Sequence, residues 1–324
     1  MAETVLRRRS LLPLLPAFLL LILLLVSAEA AADGCRRALL VCARLIVPSL
    51  FPFFVLSSLL NSLGLPGVLG HALAPAAMRL YGVSGAGASA LILGLCGGYP
   101  AGAAYIAEME KSGAVTAQEA ERLLAFCNNS GPAFLIGAVG CGVFHSARAG
   151  LLLYTAHVAA ALLTGLFFRA RSHTEEIPPV FLDTADPSAA LTAAIRQSVT
   201  AILQVCGFAV FFSVLLAVLG SIGFLDLPLR FFQRLGAPSA IVRPLLAGLL
   251  ELGSGVAAME GLPLSPSALS LSAFLCGWGG LSVLFQTKAL LTEGKAKGAL
   301  HIAGHLIGAS IGAVLAFVLG ILFL

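Results

Sequence analysis

The chain has 324 residues, of which 59% are hydrophobic and 10% charged, and its formal net charge is +4. Soluble proteins carry roughly 25% charged residues, and the mean hydropathy here is +1.01, so the composition excludes a soluble globular domain. The basic residues are dispersed between apolar blocks, which gives no support to nucleic-acid binding.

The apolar residues recur in blocks of about 20, the length that crosses a hydrocarbon core of roughly 30 Å. The seven cysteines show no metal-ligand or redox spacing, and no Ser/His/Asp or paired-carboxylate arrangement stands out. We therefore predict an all-α polytopic membrane protein that is not an enzyme, holds no metal and needs no cofactor, although a coupling proton or cation stays open.

Arg7, Arg8 and Arg9 precede an apolar run over 11–26, which small residues follow. This pattern also describes a signal peptide. We favour an uncleaved transmembrane helix within residues 1–30, because the rest of the chain is membrane-embedded. Either interpretation places the three arginines in the cytoplasm.

The next apolar segment, residues 37–63, predicts a long span with Pro48 and Pro52 inside it. Proline bends a helix, which membrane proteins tolerate where neighbours satisfy the freed carbonyl groups. A short piece over 71–81 is predicted to lie along the interface. Two short arms then flank the glycine-rich sequence 97–102. Neither arm spans a bilayer alone, so we predict a re-entrant hairpin with its tip at membrane depth.

A discontinuous helix is predicted next. The residues Thr116 to Glu119 fit a capping box, and the helix they open reaches Cys127 before NNSGP interrupts it at 128–132. The apolar pattern resumes over 133–143. An ordinary span over 149–168 and a polar linker over 171–190 follow.

The second half repeats this plan, so that residues 35–170 and 191–324 form two related repeats. The aligned segments are 37–65 with 196–224, the tip 94–103 with 248–257, NNSGP with 276–280, and His157 with His305. Each half contains a long span, a broken helix and a last span, which is an odd number of crossings. The repeats are therefore predicted to have inverted topology.

The charges agree moderately with a cytoplasmic N-terminus. The basic residues then placed inside are Arg79, Lys111, Arg122, Arg169, Arg171, Lys288, Lys295 and Lys297, and those outside are Arg36, Arg37, Arg148, Arg230, Arg234 and Arg243.

Inverted repeats with paired discontinuous segments are typical of secondary transporters. A helix break exposes N–H groups that attract anions and carbonyl groups that attract cations. Four converging breaks would form one polar site near the midplane for a small organic solute. The candidate solute-binding residues are Gly98, Tyr99, Pro100, Gly102, Asn128, Asn129, Ser130, Ser254, Gly277, Trp278 and Gly279.

Several of these side chains have a second interpretation. Asn128 and Asn129 contact the solute or only satisfy the broken backbone, and Trp278 stacks on a planar solute or fills a gap. For His157 and His305 we favour helix packing over ligand binding.

Glu251 is the coupling candidate, because an intramembrane carboxylate is functional by default. A bound proton or cation would give it that role. The alternative is a structural pairing with Arg243 or with free backbone donors.

Four motifs carry a family resemblance: PSLFPFF (48–54), GGYPAGA (97–103), EAERLLAFCNNSGPAFLIGAVG (119–140) and GWGGLSVLFQ (277–286). Together they resemble the YlbJ (SpoVV) family of sporulation integral membrane proteins. That family carries a Gate, or nucleoside-recognition, domain and is distantly similar to concentrative nucleoside transporters.

The resemblance implies a role in endospore formation, in which dipicolinic acid moves across the outer forespore membrane toward the spore. A planar aromatic dianion would suit half-helix N-termini, amide donors and an aromatic platform. The short linker and the few polar residues in the second tip depart from the family. A nucleoside-like or other small-solute symporter and a non-transporting sporulation scaffold therefore stay open, as does a homo-oligomer. The implied partners are a dipicolinate-like anion and the lipid bilayer of the bacterial cell membrane or outer forespore membrane.

Overall fold

The computed structural model describes residues 14–170, 186–292 and 294–324. Arg7, Arg8 and Arg9 and most of the predicted linker lie outside these residues. Every regular element in the described chain is helical, as predicted. The helices are α1 (Leu14–Val26), α2 (Ala28–Val41), α3 (Val47–Ser62), α4 (Leu65–Tyr81), α5 (Gly85–Gly97), α6 (Ala101–Lys111), α7 (Ala117–Phe126), α8 (Ala147–Phe167), α9 (Pro187–Ser221), α10 (Asp226–Arg234), α11 (Ser239–Leu250), α12 (Leu252–Ala257), α13 (Pro266–Trp278), α14 (Gly280–Leu290) and α15 (Ala299–Phe323), with π-helical segments at Cys42–Ile46 and Ala133–Val143.

Among the described residues, five helices are long and apolar enough to cross a membrane. They are Ala28–Ser62, Ala147–Phe167, Pro187–Ser221, Pro266–Leu290 and Ala299–Phe323. This number agrees with an integral membrane protein of several spans. Many large apolar side chains on α1, α9 and α15 are exposed, as lipid-facing residues are in such proteins.

The first span of each half is a helix of 35 residues: α2, the first π-helical segment and α3 run without a break over Ala28–Ser62, and α9 covers Pro187–Ser221. The first of these spans begins earlier than residue 37, where its apolar run begins. The added turns are rich in alanine, the strongest helix former, and Arg36 pairs with Asp33 on their exposed side at 2.6 Å.

The first hairpin consists of α5 and α6, with Gly98, Tyr99 and Pro100 between them. The predicted interfacial piece is longer than 71–81, because α4 covers all of Leu65–Tyr81, and it meets α5 at a bend of 96°. In the second half α10, α11 and α12 follow in the same order, with Glu251 at the tip.

The two helix breaks differ in extent. The first separates α7 from the π-helical segment Ala133–Val143 by six residues, and the second is a bend at Gly279 between α13 and α14. Gly279 and Gly280 have φ of 79° and 78°, a left-handed conformation that glycine adopts without steric cost. The predicted all-α architecture of paired hairpins and discontinuous helices is therefore confirmed.

Of the two hydrogen bonds in the capping box predicted at Thr116, the structure contains one. Thr116 Oγ1 accepts a hydrogen bond from Glu119 N at 3.2 Å, but the Glu119 carboxylate accepts from Ser84 N at 2.6 Å, at the start of α5. Glu119 is fully buried. Its carboxylate therefore joins the first hairpin to the broken helix instead of closing its own helix.

One hydrophobic core contains residues of both halves. Phe134 and Leu153 of the first half belong to the same buried cluster as Leu269 and Leu275 of the second. Helix α15 packs against α13 and also against α7 and α8. The halves are therefore interlocked, which brings their tips and breaks to the same place.

Candidate functional site

The two hairpin tips, the first helix break and α14, the helix that follows the second break, contribute side chains to one central cavity. Its polar lining residues are Tyr99 from the first tip, Ser130 from the first break, Glu251 from the second tip, and Ser282 and Gln286 from α14. All five are buried. The remaining wall is apolar and includes Ile46, Leu50, Phe134, Val205, Ala209 and Val283.

The first half caps the exposed carbonyl groups of the second break. The Tyr99 hydroxyl donates to Cys276 O at 3.1 Å and to Gly277 O at 3.3 Å. Ser130 Oγ donates to Cys276 O at 3.0 Å. The last carbonyl groups of a helix have no partner within it, so these hydroxyls satisfy the end of α13.

Each tip also approaches the break of its own half, backbone to backbone. A Cβ atom on Gly98, whose φ is 75°, would lie 2.7 Å from Gly131 N. A Cβ atom on Gly280 would lie 3.1 Å from Leu250 O. A side chain is excluded at Gly98, and at Gly280 the contact is tight and the φ of 78° favours glycine.

Besides Gly98, four candidate residues bring backbone to this region. Pro100 stands immediately before α6, and Gly102 approaches Cys127 O so closely that a Cβ atom would lie 2.5 Å from it. Gly277 provides a carbonyl acceptor for Tyr99, and Gly279 forms the bend before α14. These four residues contact other parts of the protein in the site. Solute binding by them stays a prediction.

Asn128 and Asn129 lie beside the central cavity and have partners within the protein. Asn128 Oδ1 accepts from Ala103 N at 3.2 Å, and its Nδ2 donates to Thr287 Oγ1 at 2.9 Å. Asn129 Nδ2 donates to Phe126 O at 2.8 Å, at the end of α7. Both line a second, smaller cavity with His157 and His305. The contacts match the interpretation in which these amides satisfy the broken backbone.

His157 and His305, which are equivalent in the two repeats, each contact the backbone of the helix break in their own half. His157 Nε2 accepts from Ser130 N at 3.1 Å, and His305 Nδ1 lies 3.1 Å from Trp278 O. The first ring therefore binds an N–H group and the second binds a carbonyl group. His301 lies beside His305 with ring centroids 3.9 Å apart. The Nε2 atoms of His301 and His305 are buried and have no partner among the described residues.

Trp278 packs away from the central cavity. Its indole N–H donates to Leu249 O at 3.1 Å, and its ring belongs to a small apolar cluster with Leu284 and Ala309. These contacts match the gap-filling interpretation, and the side chain does not face the central cavity as an aromatic platform.

Glu251 caps α12 and lines the central cavity at the same time. Its carboxylate accepts from Gly253 N at 2.9 Å and from Ser254 N. The Ser254 hydroxyl lies 2.8 Å from the Ser213 hydroxyl of α9. The sequence left two structural partners open for Glu251, Arg243 and free backbone donors, and the structure shows the backbone donors. The described residues contain no ion pair between Glu251 and Arg243.

Ser282 and Gln286 were missed in the sequence. They stand four residues apart in an otherwise apolar helix, the spacing that puts two side chains on one face. Gln286 Oε1 is buried and has no partner among the described residues. A buried amide oxygen without a partner costs free energy, which points to a ligand or a water molecule in the cavity.

The central cavity has a volume of about 40 Å³. That volume holds a few water molecules, since one needs roughly 10–15 Å³, and ligand pockets usually measure roughly 300–1,000 Å³. An organic solute therefore requires the tips and breaks to move apart.

Comparison with known proteins identifies the family. No protein-family model matches the chain. The sporulation integral membrane protein YlbJ of Bacillus subtilis (strain 168) is 32% identical over 297 residues, and the match covers 82% of this chain and 71% of that protein. The chain belongs to the YlbJ family of sporulation integral membrane proteins.

The fold of this YlbJ-family chain is that of a known transporter. CNTnw in an inward-facing substrate-bound state has a TM-score of 0.54 at 15% identity, over 86% of this chain and 75% of that chain. The same transporter in its intermediate 3 state has a TM-score of 0.50 at 14% identity, over 85% and 75%. CNTnw is a concentrative nucleoside transporter. The family identifies an integral membrane protein of sporulation, and the similarity to CNTnw shows the fold.

Proposed function

We propose that this YlbJ-family protein carries a small organic solute across a membrane during endospore formation, and that the central cavity binds the solute. The observation that supports the proposal is that two tips, the first break and α14 meet around Tyr99, Ser130, Glu251, Ser282 and Gln286. Irregular backbone at membrane depth is tolerated where it is buried in protein or lines a wet cavity, and transporters use such segments to bind solutes.

The first candidate solute is dipicolinic acid, moved across the outer forespore membrane toward the spore. Hydroxyl and amide groups of Ser282 and Gln286 can donate to its carboxylates, and the apolar wall suits its ring. The negative charge of Glu251 would repel a dianion. The first N–H groups of α12, which could bind an anion, already donate to the Glu251 carboxylate. The proposal therefore requires Glu251 to carry a proton, hold a cation or swing away.

A nucleoside-like solute is the second candidate, and the acceptors in the cavity favour it. Glu251 and Gln286 Oε1, which has no partner in the described part of the chain, can accept hydrogen bonds from O–H and N–H groups of a neutral solute. Such a solute meets no charge repulsion from Glu251. Coupling to a proton or cation gradient would again involve that carboxylate.

Uptake into proteoliposomes tests both candidates. The full chain is reconstituted, and uptake of labelled dipicolinate and of labelled uridine is measured with and without proton and sodium gradients. We expect gradient-driven dipicolinate uptake. Uridine uptake alone would replace the first candidate by the second, and uptake of neither would favour a scaffold that moves no solute.

A matched pair of variants checks that the cavity is the path. Ala209→Phe fills the cavity wall on α9, whereas Leu203→Phe changes an exposed, lipid-facing position of the same helix. We expect the first variant to abolish uptake and the second to retain it. Equal uptake by both would place the solute elsewhere.

A further inference from the structure

A second concave surface, the lysine groove, lies at the far end of α14 from the central cavity. It is an open groove of about 440 Å³ lined by Phe208, Phe285, Lys288, Leu291, Ala296 and Lys297, among others. None of its described lining residues is acidic. It is therefore basic and apolar at once.

The lysines lie at the depth of a membrane surface. Helix α14 starts at the break by the central cavity and rises about 1.5 Å per residue, so the eight residues from Gly280 to Lys288 span about 12 Å. Half of a hydrocarbon core measures about 15 Å. With the break near the midplane, the ammonium group of Lys288 reaches the headgroup region.

The apolar part of the groove lies one turn deeper. Phe285 is 54% exposed, yet its ring also packs on Phe212 of α9 with centroids 5.7 Å apart. Phe208 lines the same side. The groove thus has a fixed aromatic wall toward the bilayer core and ammonium groups at its rim.

The loop that carries Lys297 is held in place from the other half of the chain. Glu110 accepts from Lys295 N at 2.7 Å and from Ala296 N at 2.9 Å. Glu121 accepts from Lys297 N and from Gly298 N, the latter at 2.8 Å. These bonds fix the backbone of the loop, and Lys297 lines the groove.

We propose that the lysine groove binds an anionic phospholipid, with its phosphate on the ammonium groups of Lys288 and Lys297 and an acyl chain along Phe208 and Phe285. Basic pockets between transmembrane helices bind anionic headgroups in this way. Charge complementarity and the aromatic wall at acyl depth select this ligand over a zwitterionic lipid or a free phosphate.

Lipid titration of the purified full chain tests the proposal. Dioleoylphosphatidylglycerol, dioleoylphosphatidylcholine and glycerol 3-phosphate are added separately, and bound molecules are counted by native mass spectrometry. Each lysine near an anionic surface contributes about fivefold in affinity. We expect Lys288→Gln with Lys297→Gln to weaken phosphatidylglycerol binding about 30-fold.

Lys295→Gln is the matched control, because Lys295 is exposed on the same loop and does not line the groove. It should bind phosphatidylglycerol as the unchanged protein does. If the double variant does not fold, Lys288→Gln alone should show a loss of about fivefold. Equal binding of phosphatidylcholine, equal loss in the control, or binding of glycerol 3-phosphate as tight as that of the lipid would each overturn the proposal.

Discussion

Asn128 Nδ2 donates a hydrogen bond to Thr287 Oγ1 at 2.9 Å, and this bond joins the first helix break to α14 of the other half. Both side chains are buried. The same amide accepts from Ala103 N at 3.2 Å, at the start of α6. Asn128 therefore connects three segments that must move if the central cavity opens.

Asn128 and Thr287 should be energetically coupled. Asn128→Ala leaves Ala103 N without its acceptor, and we expect lower thermal stability and about tenfold slower transport, since a lost buried hydrogen bond costs about 1 kcal/mol or more. Adding Thr287→Val should cost little beyond the single change, because the shared bond is already gone. Thr155→Val is the control, since Thr155 is exposed and its hydroxyl donates to Leu151 O of its own helix. Unchanged transport with Asn128→Ala and Asn129→Ala together would show that the break is only structural.

The inverted topology makes a prediction about sidedness. Lys111 ends α6 after the first tip, and Glu260 follows α12 after the second. Both residues are exposed. Single cysteines placed at these positions in a cysteine-free chain should react with impermeant reagents from opposite sides of the membrane. Labelling of both from one side would contradict the inverted repeats.

Glu251 should couple transport to a gradient. Glu251→Gln removes the charge that a proton or cation would neutralise but retains one amide oxygen to cap α12. We expect solute binding to persist while transport loses its dependence on the proton or cation gradient. Glu251→Asp, which keeps a carboxylate and a good capping residue, should remain gradient-dependent. The role is excluded if Glu251→Gln transports in full dependence on the gradient.

Gln286 allows function and stability to be separated. Its buried Oε1 has no partner among the described residues, so Gln286→Leu removes a desolvation cost and should leave thermal stability equal or higher. Solute affinity should fall about tenfold, because the solute loses one hydrogen bond. The readouts are the melting temperature and the solute Kd. Reduced stability with unchanged affinity would assign Gln286 to packing instead.

Much of the architecture could be predicted because glycine, proline and asparagine interrupt apolar runs at the places where the backbone breaks. The break 128–132 and the bend at Gly279 were both visible in this way. The partners of individual side chains were not, because they depend on packing between segments distant in the chain. Glu119 of α7 illustrates this, since its carboxylate accepts a hydrogen bond from Ser84 N at the start of α5, 35 residues earlier in the chain.

The same limit explains the cavity lining. Asn128 and Trp278 were candidates because polar and aromatic residues at breaks are conspicuous, yet their partners lie elsewhere in the fold. Ser282 and Gln286 carried a weaker signal, two polar residues four positions apart in an apolar helix. Their orientation toward the cavity follows from how α14 packs against α9 and α11 of its own half and α6 of the first half.

The hydroxyl groups of Tyr99 and Ser130 donate hydrogen bonds to the carbonyl oxygens of Cys276 and Gly277. Those oxygens are the groups that an unwound helix end offers to a cation. Cys276 O already accepts from both hydroxyls, so a cation that used this oxygen would compete with donors from the first half, and a displaced hydroxyl would become free to bind solute. If the central cavity binds solute as proposed, cation and solute would then raise each other's affinity by the same factor.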